Sequence, residues 1–365
     1  MESLALHEFH QSLNAQFAGL NGVEVVNDYG ASLSEYQALR QIAGVVDLSS
    51  RSRLCLTGAD RIRFLHGQIT NDIKRLGVGE GCYAALTNAK GRMESDLNIY
   101  NLQDELLLDF EASLTRIVSQ RLEKYIVADD VQVVDVTSLY GLLTVQGPEA
   151  ERVVNLLGSF DKIPVAGFTS VKATDATPGE IYLMNHSRLG SRGFDLFVPA
   201  VALGAVADKL IAAAKSAGGR ACGWQAFETV RVEAGIPRFG ADMDGSNFPQ
   251  ESGIEETAVS YTKGCYIGQE ILNRIHTLGH VNKKLCGLMF PAGLPSLPQK
   301  GDKLFDQGKE VGYITSTVFS PTLDRGIGLG YLRKEHTKLG DKLMVPSTGV
   351  EVEVRARELP IWTRP

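Results

Sequence analysis

The sequence repeats one local order in LCLTGADRIRFL (residues 54–65) and LLTVQGPEAERVVNLL (residues 142–157). In each stretch a strand-like apolar run leads through a glycine and an acidic residue into a helical pattern. Chance likeness between two unrelated segments would explain this order. A duplicated α+β unit would explain it too, and would also repeat the elements that follow along the chain.

A second pair of stretches favours duplication. LTNAKGRMESDLNIY (86–100) and MNHSRLGSRGFDLFV (184–198) both show a strand, a basic and glycine-containing turn, and a strand that carries an aspartate. The first match is offset by 89 residues, from Gly58 to Gly147, and the second by 99, from Asp96 to Asp195. The second half would therefore carry about ten extra residues. We expect Asp96 and Asp195 at equivalent points around a pseudo-twofold centre.

The helical pattern disappears after about residue 284. Short apolar runs punctuated by glycine and proline follow, which is typical of a small all-β domain. The sequence thus predicts two halves of one α+β region, at 1–138 and 139–283, followed by a β domain at 284–365.

The composition of the chain argues against two classes of function, nucleic-acid binding and membrane insertion. The chain has 365 residues, 44% of them hydrophobic, and its 37 Lys and Arg against 43 Asp and Glu give a formal charge of −6. This balance argues against a general nucleic-acid backbone binder. No apolar run approaches the ~20 residues of a membrane span, and the first residues lack the pattern of a signal peptide. We expect a cytoplasmic protein without nucleic-acid or membrane partners.

The five cysteines are scattered and include no C-x-x-C pair. Neither a disulfide framework nor a metal site held by this chain is predicted. The phosphate-binding loop G-x-x-x-x-G-K-[ST] is also absent from the sequence, so nucleotide-driven chemistry is disfavoured.

Three acidic and basic residues stand at positions that suggest buried charge. Arg231 lies on the apolar face of the predicted helix 224–237, where it needs either a protein carboxylate or a bound anionic ligand. Asp96 and Asp195 lie in strands, from which aspartate is depleted. Facing inward, each carboxylate could accept two N–H donors from a heterocycle; facing outward, it would merely be solvated. Tyr83 and Tyr100 could flank a flat ligand or belong to the core.

The segment YTKGCYIGQEIL (261–272) carries the most reactive candidate. Cys265 lies two residues after Lys263, and an apolar pattern that could begin a helix resumes at Tyr266. A thiol at a helix start beside an ammonium should have a lowered pKa, so it could attack or ligate. The alternative is a small buried hydrophobic residue.

With these residues in view, the chain resembles the folate-binding superfamily of the glycine-cleavage aminomethyltransferase, or T-protein. It looks most like the YgfZ-type branch, the folate-binding proteins of iron–sulfur maintenance. The branch marker K-G-C-Y-x-G-Q-E is present as KGCYIGQE at 263–270. The wider superfamily is seen in stretches along nearly the whole chain: VVDLSSRSRLCLTGADRIRFLHGQITNDI (45–73), NAKGRMESDLNIY (88–100), SRLGSRGFDLFVP (187–199), VRVEAGIPRFGADM (230–243) and EVGYITSTVFSPTLDRGIGLGYL (310–332).

The resemblance implies a fold and a site. The fold is α+β, with pseudo-symmetric folate-binding halves and a small C-terminal β-barrel in a ring-like assembly with a central cavity. The acidic residue that grips the pterin falls on Asp195, and the family arginine falls on Arg231. The folate-flanking aromatics fall on Tyr83 and Tyr100. Of the adjacent aspartate pair typical of the transferase, only the second member is kept, as Asp96.

The resemblance implies two functions and leaves a third open. The first is a tetrahydrofolate-binding accessory protein for assembly or repair of iron–sulfur enzymes, with Cys265 as thiol donor, acceptor or transient ligand and with iron–sulfur enzymes or cluster-assembly proteins as partners. The second is a folate-dependent aminomethyl or one-carbon transferase that uses Asp96. The third is a folate-binding module with no chemistry. Cys265, Asp96 and Lys263 are the predicted catalytic residues; Asp195, Arg231, Tyr83 and Tyr100 are the predicted cofactor-binding residues.

Overall fold

A computed structural model describes residues 2–173, 179–338, 340, 342–347 and 350–362. The chain forms two compact units. The first contains the chain up to Leu86, Ser95–Phe227 and Lys263–Tyr266, and the second contains Thr87–Glu94, Glu228–Thr262 and the chain from Ile267 onward. The domain borders predicted from the sequence stay predictions.

Helices and strands are interspersed up to about residue 278, and strands predominate after that point. The helices are α1 (His7–Ser12), α2 (Ser32–Gln41), α3 (Arg61–Gln68), α4 (Thr115–Glu123), α5 (Ala150–Leu157), α6 (Ala200–Ser216), α7 (Trp224–Glu233), α8 (Glu255–Ala258) and α9 (Gln269–Leu278), with short 3-10 helices at Ile73–Arg75 and Lys334–His336. The strands are β1 (Gln16–Leu20), β2 (Val23–Asp28), β3 (Gly44–Asp47), β4 (Ser52–Thr57), β5 (Gly81–Thr87), β6 (Met93–Asn101), β7 (Leu106–Phe110), β8 (Gln132–Asp135), β9 (Tyr140–Gln146), β10 (Ser170–Lys172), β11 (Tyr182–Asn185), β12 (Gly193–Pro199), β13 (Arg220–Ala221), β14 (Lys283–Met289), β15 (Lys303–Asp306), β16 (Lys309–Ser320), β17 (Arg325–Arg333), β18 (Lys342–Ser347) and β19 (Val350–Arg357).

Two sheets of the first unit share one strand order. The first sheet runs β5-β6-β7-β4-β8, and the second runs β10-β11-β12-β9-β3-β13. Strands β4 to β7 therefore correspond to β9 to β12, which agrees with a duplicated α+β unit. The predicted equivalence of Asp96 and Asp195 is wrong by one strand: Asp96 lies on β6, the counterpart of β11, whereas Asp195 lies on β12, the counterpart of β7.

Each of these sheets packs one face against helices. Leu97 and Ile99 of β6 pack with side chains of α3 and α4, and Phe194 and Leu196 of β12 pack with side chains of α5 and α6. Because successive side chains in a strand point to opposite faces, the residues between them face away from the helices. This alternation puts Asp195, flanked by Phe194 and Leu196, on the helix-free face of its sheet.

The second unit contains a closed barrel in the order β14-β17-β16-β15-β18-β19, and β14 pairs with β19 to close it. Leu288, Ile314 and Val354 are fully buried in its core. The predicted α+β fold with a small C-terminal β-barrel is confirmed. Across the described part of the chain, we find no helix with the length and apolar character that crossing a bilayer requires.

Candidate functional site

The polar residues of the first unit lie on the helix-free faces of its two sheets. Tyr83 on β5, Asp96 on β6 and Asp109 on β7 alternate with apolar residues that face α3 and α4. Tyr100 on β6 packs edge-on against Phe197 of β12, with ring centroids 6.0 Å apart. The two helix-free faces thus meet, and they enclose a layer of charged groups.

Within this layer, Asp96 has a carboxylate oxygen that accepts no hydrogen bond from the described residues. The Tyr83 hydroxyl donates to its Oδ2 at 2.8 Å, while its Oδ1 is buried and has no hydrogen-bond partner among the described residues. Burial, reinforced by the negative charge of Glu111, raises the pKa of Asp96 to about 6. A buried acceptor without a donor is costly in a folded protein unless a ligand supplies the donor.

Asp195 is buried, but its carboxylate is already occupied. Arg188 Nε donates to both of its oxygens, at 3.0 and 2.9 Å, and His186 Nδ1 lies 2.9 Å from Oδ2. Despite burial, the Arg188 guanidinium lowers the pKa of Asp195 to about 2. Of the two sequence-based alternatives, inward-facing or solvated, the structure shows the inward one, with the chain's own residues as donors.

Asp109 joins the two sheets. It accepts from Arg51 Nε at 2.8 Å, from Arg188 Nη2 at 2.7 Å and from Asn98 Nδ2 at 2.9 Å. It is fully buried, and these two arginines hold its pKa well below the ordinary value of an aspartate although burial opposes them. Arg51 also pairs with Glu111 at 2.6 Å. The result is a buried network of alternating charges.

Tyr100 does not offer a free ring face. Its side chain is fully buried, its ring packs against Phe168 and Phe197, and its hydroxyl lies 3.1 Å from His186 Nδ1. Tyr83, by contrast, is only partly buried and lies beside Asp96. Of the two tyrosines predicted to flank a ligand, Tyr83 keeps an accessible position.

Arg231 lies in the second unit and is satisfied there by protein groups. Its Nη1 bonds to Asp242 at 2.6 Å and to the Ile236 carbonyl at 2.8 Å, and its Nη2 bonds to Ser316 Oγ at 3.0 Å. Glu228 accepts from its Nε at 2.9 Å. The sequence predicted either a protein carboxylate or a bound anionic ligand beside Arg231. The structure shows protein carboxylates, those of Asp242 and Glu228.

Lys263 is turned into the first unit. Its ammonium donates to the backbone carbonyls of His66, Ile69 and Asn71 at 2.6, 2.7 and 2.8 Å. Burial lowers its pKa to about 7, while three acceptors use all three protons of the charged form. Lys263 holds the chain that follows α3, and its charge is committed to these carbonyls instead of the Cys265 thiol.

We expect Lys263→Met to lower the free energy of unfolding by about 2 kcal/mol, because three carbonyl groups lose their donor while the side chain keeps its length. Urea unfolding followed by circular dichroism measures this. Lys74→Met, at an exposed lysine, is the matched control. Equal stability of the two variants would contradict the role of the Lys263 ammonium.

Cys265 is exposed, whereas Cys55, Cys222 and Cys286 are buried. The prediction that this thiol stands at a helix start is wrong, since α9 begins at Gln269. Gly268 precedes that helix with φ of 89°, and a side chain at this position would come within 2.6 Å of the Asn88 carbonyl oxygen. Because the backbone at this glycine is left-handed, α9 begins after Gly268 and not at the cysteine.

The sequence did not predict five members of the charged network: Arg51, Asp109, Glu111, Arg188 and His186. One signal was available for Asp109, which interrupts the apolar run LLLDF in the same way that Asp195 interrupts its own strand. Arg188 lies inside the stretch SRLGSRGFDLFVP, so its neighbourhood was identified although the residue was not.

Comparison with known proteins agrees with this architecture. Residues 6–263 match the GCVT N-terminal domain, and residues 283–362 match the glycine cleavage T-protein C-terminal barrel domain. Among curated proteins, an aminomethyltransferase of Streptomyces avermitilis is 30% identical over 98% of this chain and 94% of its own. An aminomethyltransferase of Halalkalibacterium halodurans is 29% identical over 98% and 95%.

A solved structure shows the same fold. The crystal structure of glycine cleavage system aminomethyltransferase T from Bartonella henselae superposes with a TM-score of 0.89, over 99% of this chain and 98% of that one, at 23% identity. The family models together span both the sheets and the barrel. The chain therefore belongs to the glycine cleavage T-protein family.

Proposed function

We propose that this chain is a tetrahydrofolate-dependent aminomethyl transferase in which Asp96 is the reactive carboxylate. Its relatives are aminomethyltransferases, and the family binds tetrahydrofolate, the cofactor predicted from the sequence. The observation that carries the proposal is the buried, unpartnered Oδ1 of Asp96 beside the Tyr83 hydroxyl.

The described residues fit a reduced folate at Asp96. Its free oxygen can accept one N–H, and the partly buried Tyr83 can contact a flat ring. When bound, tetrahydrofolate supplies the nitrogens that accept a one-carbon unit. Asp96, with a pKa of about 6, can hold a negative charge toward a cationic amine and take up a proton near neutral pH.

The test is formation of methylene-tetrahydrofolate by the purified chain, supplied with tetrahydrofolate and an aminomethyl donor made from glycine. We expect Asp96→Asn to lower the rate at least about 100-fold, the scale of losing an electrostatic group at a reacting centre. Asp104→Asn, at an exposed aspartate, should leave the rate unchanged. Turnover that survives Asp96→Asn would contradict the assignment of the reactive group.

A second candidate function rests on the exposed thiol. Cys265 lies in KGCYIGQE and is the exposed member of five free cysteines. In this alternative the chain is a tetrahydrofolate-binding accessory protein for the assembly or repair of iron–sulfur enzymes. Cys265 then acts near the folate as a thiol donor, acceptor or transient ligand of a cluster shared with an iron–sulfur enzyme or cluster-assembly protein. Cys265→Ala should then reduce iron–sulfur enzyme activities in cells without other copies. We propose a cytoplasmic location for this chain, with which its free thiols agree.

Exposure predicts the order of thiol reactivity. We expect iodoacetamide to label Cys265 at least about ten times faster than Cys55, Cys222 or Cys286, because those three are buried and burial raises their pKa. Mass spectrometry of timed samples measures the rates. Equal labelling of Cys265 and Cys286 would contradict the accessibility on which the second candidate function depends.

A further inference from the structure

The aspartate expected to grip a ligand and the aspartate able to do so are different residues. The family resemblance assigns the grip to Asp195, and a strand carboxylate facing inward could indeed accept two N–H donors. In the structure Asp195 has no exposed surface. Both of its oxygens accept a hydrogen bond from Arg188 Nε, and His186 Nδ1 lies 2.9 Å from Oδ2. Any ligand N–H directed at Asp195 would have to displace these donors first.

Arg188 cannot leave Asp195 without a second loss. The same guanidinium bonds to Asp109 through Nη2 at 2.7 Å, and this Nη2 lies 2.7 Å from Asp195 Oδ2 as well. Only 8% of the Arg188 side chain is exposed. Withdrawing it would leave two buried carboxylates short of a cation, and removing one member of a buried ion pair is strongly destabilising.

Asp96 lies on the helix-free face of the other sheet of the first unit and has the opposite environment. A tyrosine hydroxyl is its one side-chain donor, and its Oδ1 has no partner among the described residues. Arg51 pairs with Asp109 and Glu111, and Arg188 pairs with Asp109 and Asp195. Of the two carboxylates predicted to meet the ligand, only Asp96 keeps an oxygen for it.

We propose that Arg188 makes Asp195 unavailable to the ligand by pairing with it, so that a reduced folate is recognised through Asp96 and not through the carboxylate that the family resemblance implies. The inference rests on the proposed function, because it concerns how the same folate is bound. It makes Arg188 and Asp195 positioning residues of the sheet layer and makes Asp96 the ligand acceptor. It also predicts that substitution of Asp96 weakens folate binding, whereas substitution of Asp195 lowers the stability of the fold.

The experiment is calorimetric titration of tetrahydrofolate into the purified chain at neutral pH, without oxygen, beside thermal unfolding of each variant. We expect Asp96→Asn to weaken binding at least about 30-fold while the protein stays folded. Asp195→Asn should lower the unfolding temperature but change binding less than about threefold. If that variant does not fold, the charge-neutral pair Arg188→Met with Asp195→Asn removes one cation and one anion together, and should bind within the same threefold.

The outcomes separate the inference from the function on which it rests. Weakening of binding in a folded Asp195 variant by as much as in Asp96→Asn would overturn the inference and leave the proposed function standing. Failure of the unaltered chain to bind tetrahydrofolate would overturn the proposed function, and the inference with it. Binding lost with Asp96→Asn and kept without Asp195 supports both.

Discussion

Asp109→Ala should lower the free energy of unfolding by about 3–5 kcal/mol, the range for removing one partner of a buried ion pair. Asp109 accepts hydrogen bonds from Arg51, Arg188 and Asn98 and is fully buried. Alanine would leave the guanidinium groups of Arg51 and Arg188 without the carboxylate that they share. The loss can be measured by urea unfolding at pH 7.

The matched control is Asp104→Ala, at an exposed aspartate in the turn before β7. A surface substitution of this kind should stay within about 0.5 kcal/mol of the original chain. If the two alanine variants were equally stable, the network around Asp109 would not hold the sheets together as inferred.

Lowering the pH should reduce the stability that the same buried network contributes. The folded-state pKa of Asp109 lies below its unfolded value, and that of Asp195 is lowered to about 2 from 3.8. Stability from such groups is present above the unfolded pKa and is lost as the pH falls toward the folded pKa. We therefore expect the contribution of Asp195 to disappear between about pH 4 and pH 2, a loss that Asp195→Asn would abolish.

Much of the fold was predictable because the backbone pattern is local. The apolar runs that form β12 and β6, and the glycine that ends α5 at Gly158, can each be identified from a few consecutive residues of the sequence. The equivalence of Asp96 and Asp195 failed because both lie in a strand after a glycine turn. Local similarity of two hairpins does not say which strand of a repeated sheet each one occupies.

The site was less predictable because side-chain partners come from distant segments. Residue type alone showed that Asp195 and Arg231 needed explanation, but their partners Arg188 and Asp242 are fixed by tertiary packing. Lys263 shows the same limit. Its closeness to Cys265 in sequence suggested a lowered thiol pKa, whereas the side chain points to the carbonyls of His66, Ile69 and Asn71.

Asp96→Asn should stabilise the protein at alkaline pH, the reverse of what removing a buried hydrogen-bonded group usually does. The pKa of Asp96 is raised to about 6 from 3.8, chiefly by burial. The folded chain therefore binds this proton more tightly than the unfolded chain, and stability falls as pH rises from about 4 to about 6. Above that range the ionised carboxylate is a standing cost that the neutral amide does not carry.

At about 1.4 kcal/mol for each pKa unit, the gain approaches 3 kcal/mol at pH 8 and vanishes near pH 4, with partial exposure of Asp96 reducing it. Urea unfolding of both proteins at pH 4.5 and pH 8 measures the difference. A gain of equal size at both pH values would show that the ionised carboxylate is not its source. A gain confined to pH 8, together with lost folate binding, would mean that the chain retains an unfavourable buried charge because its ligand requires that charge.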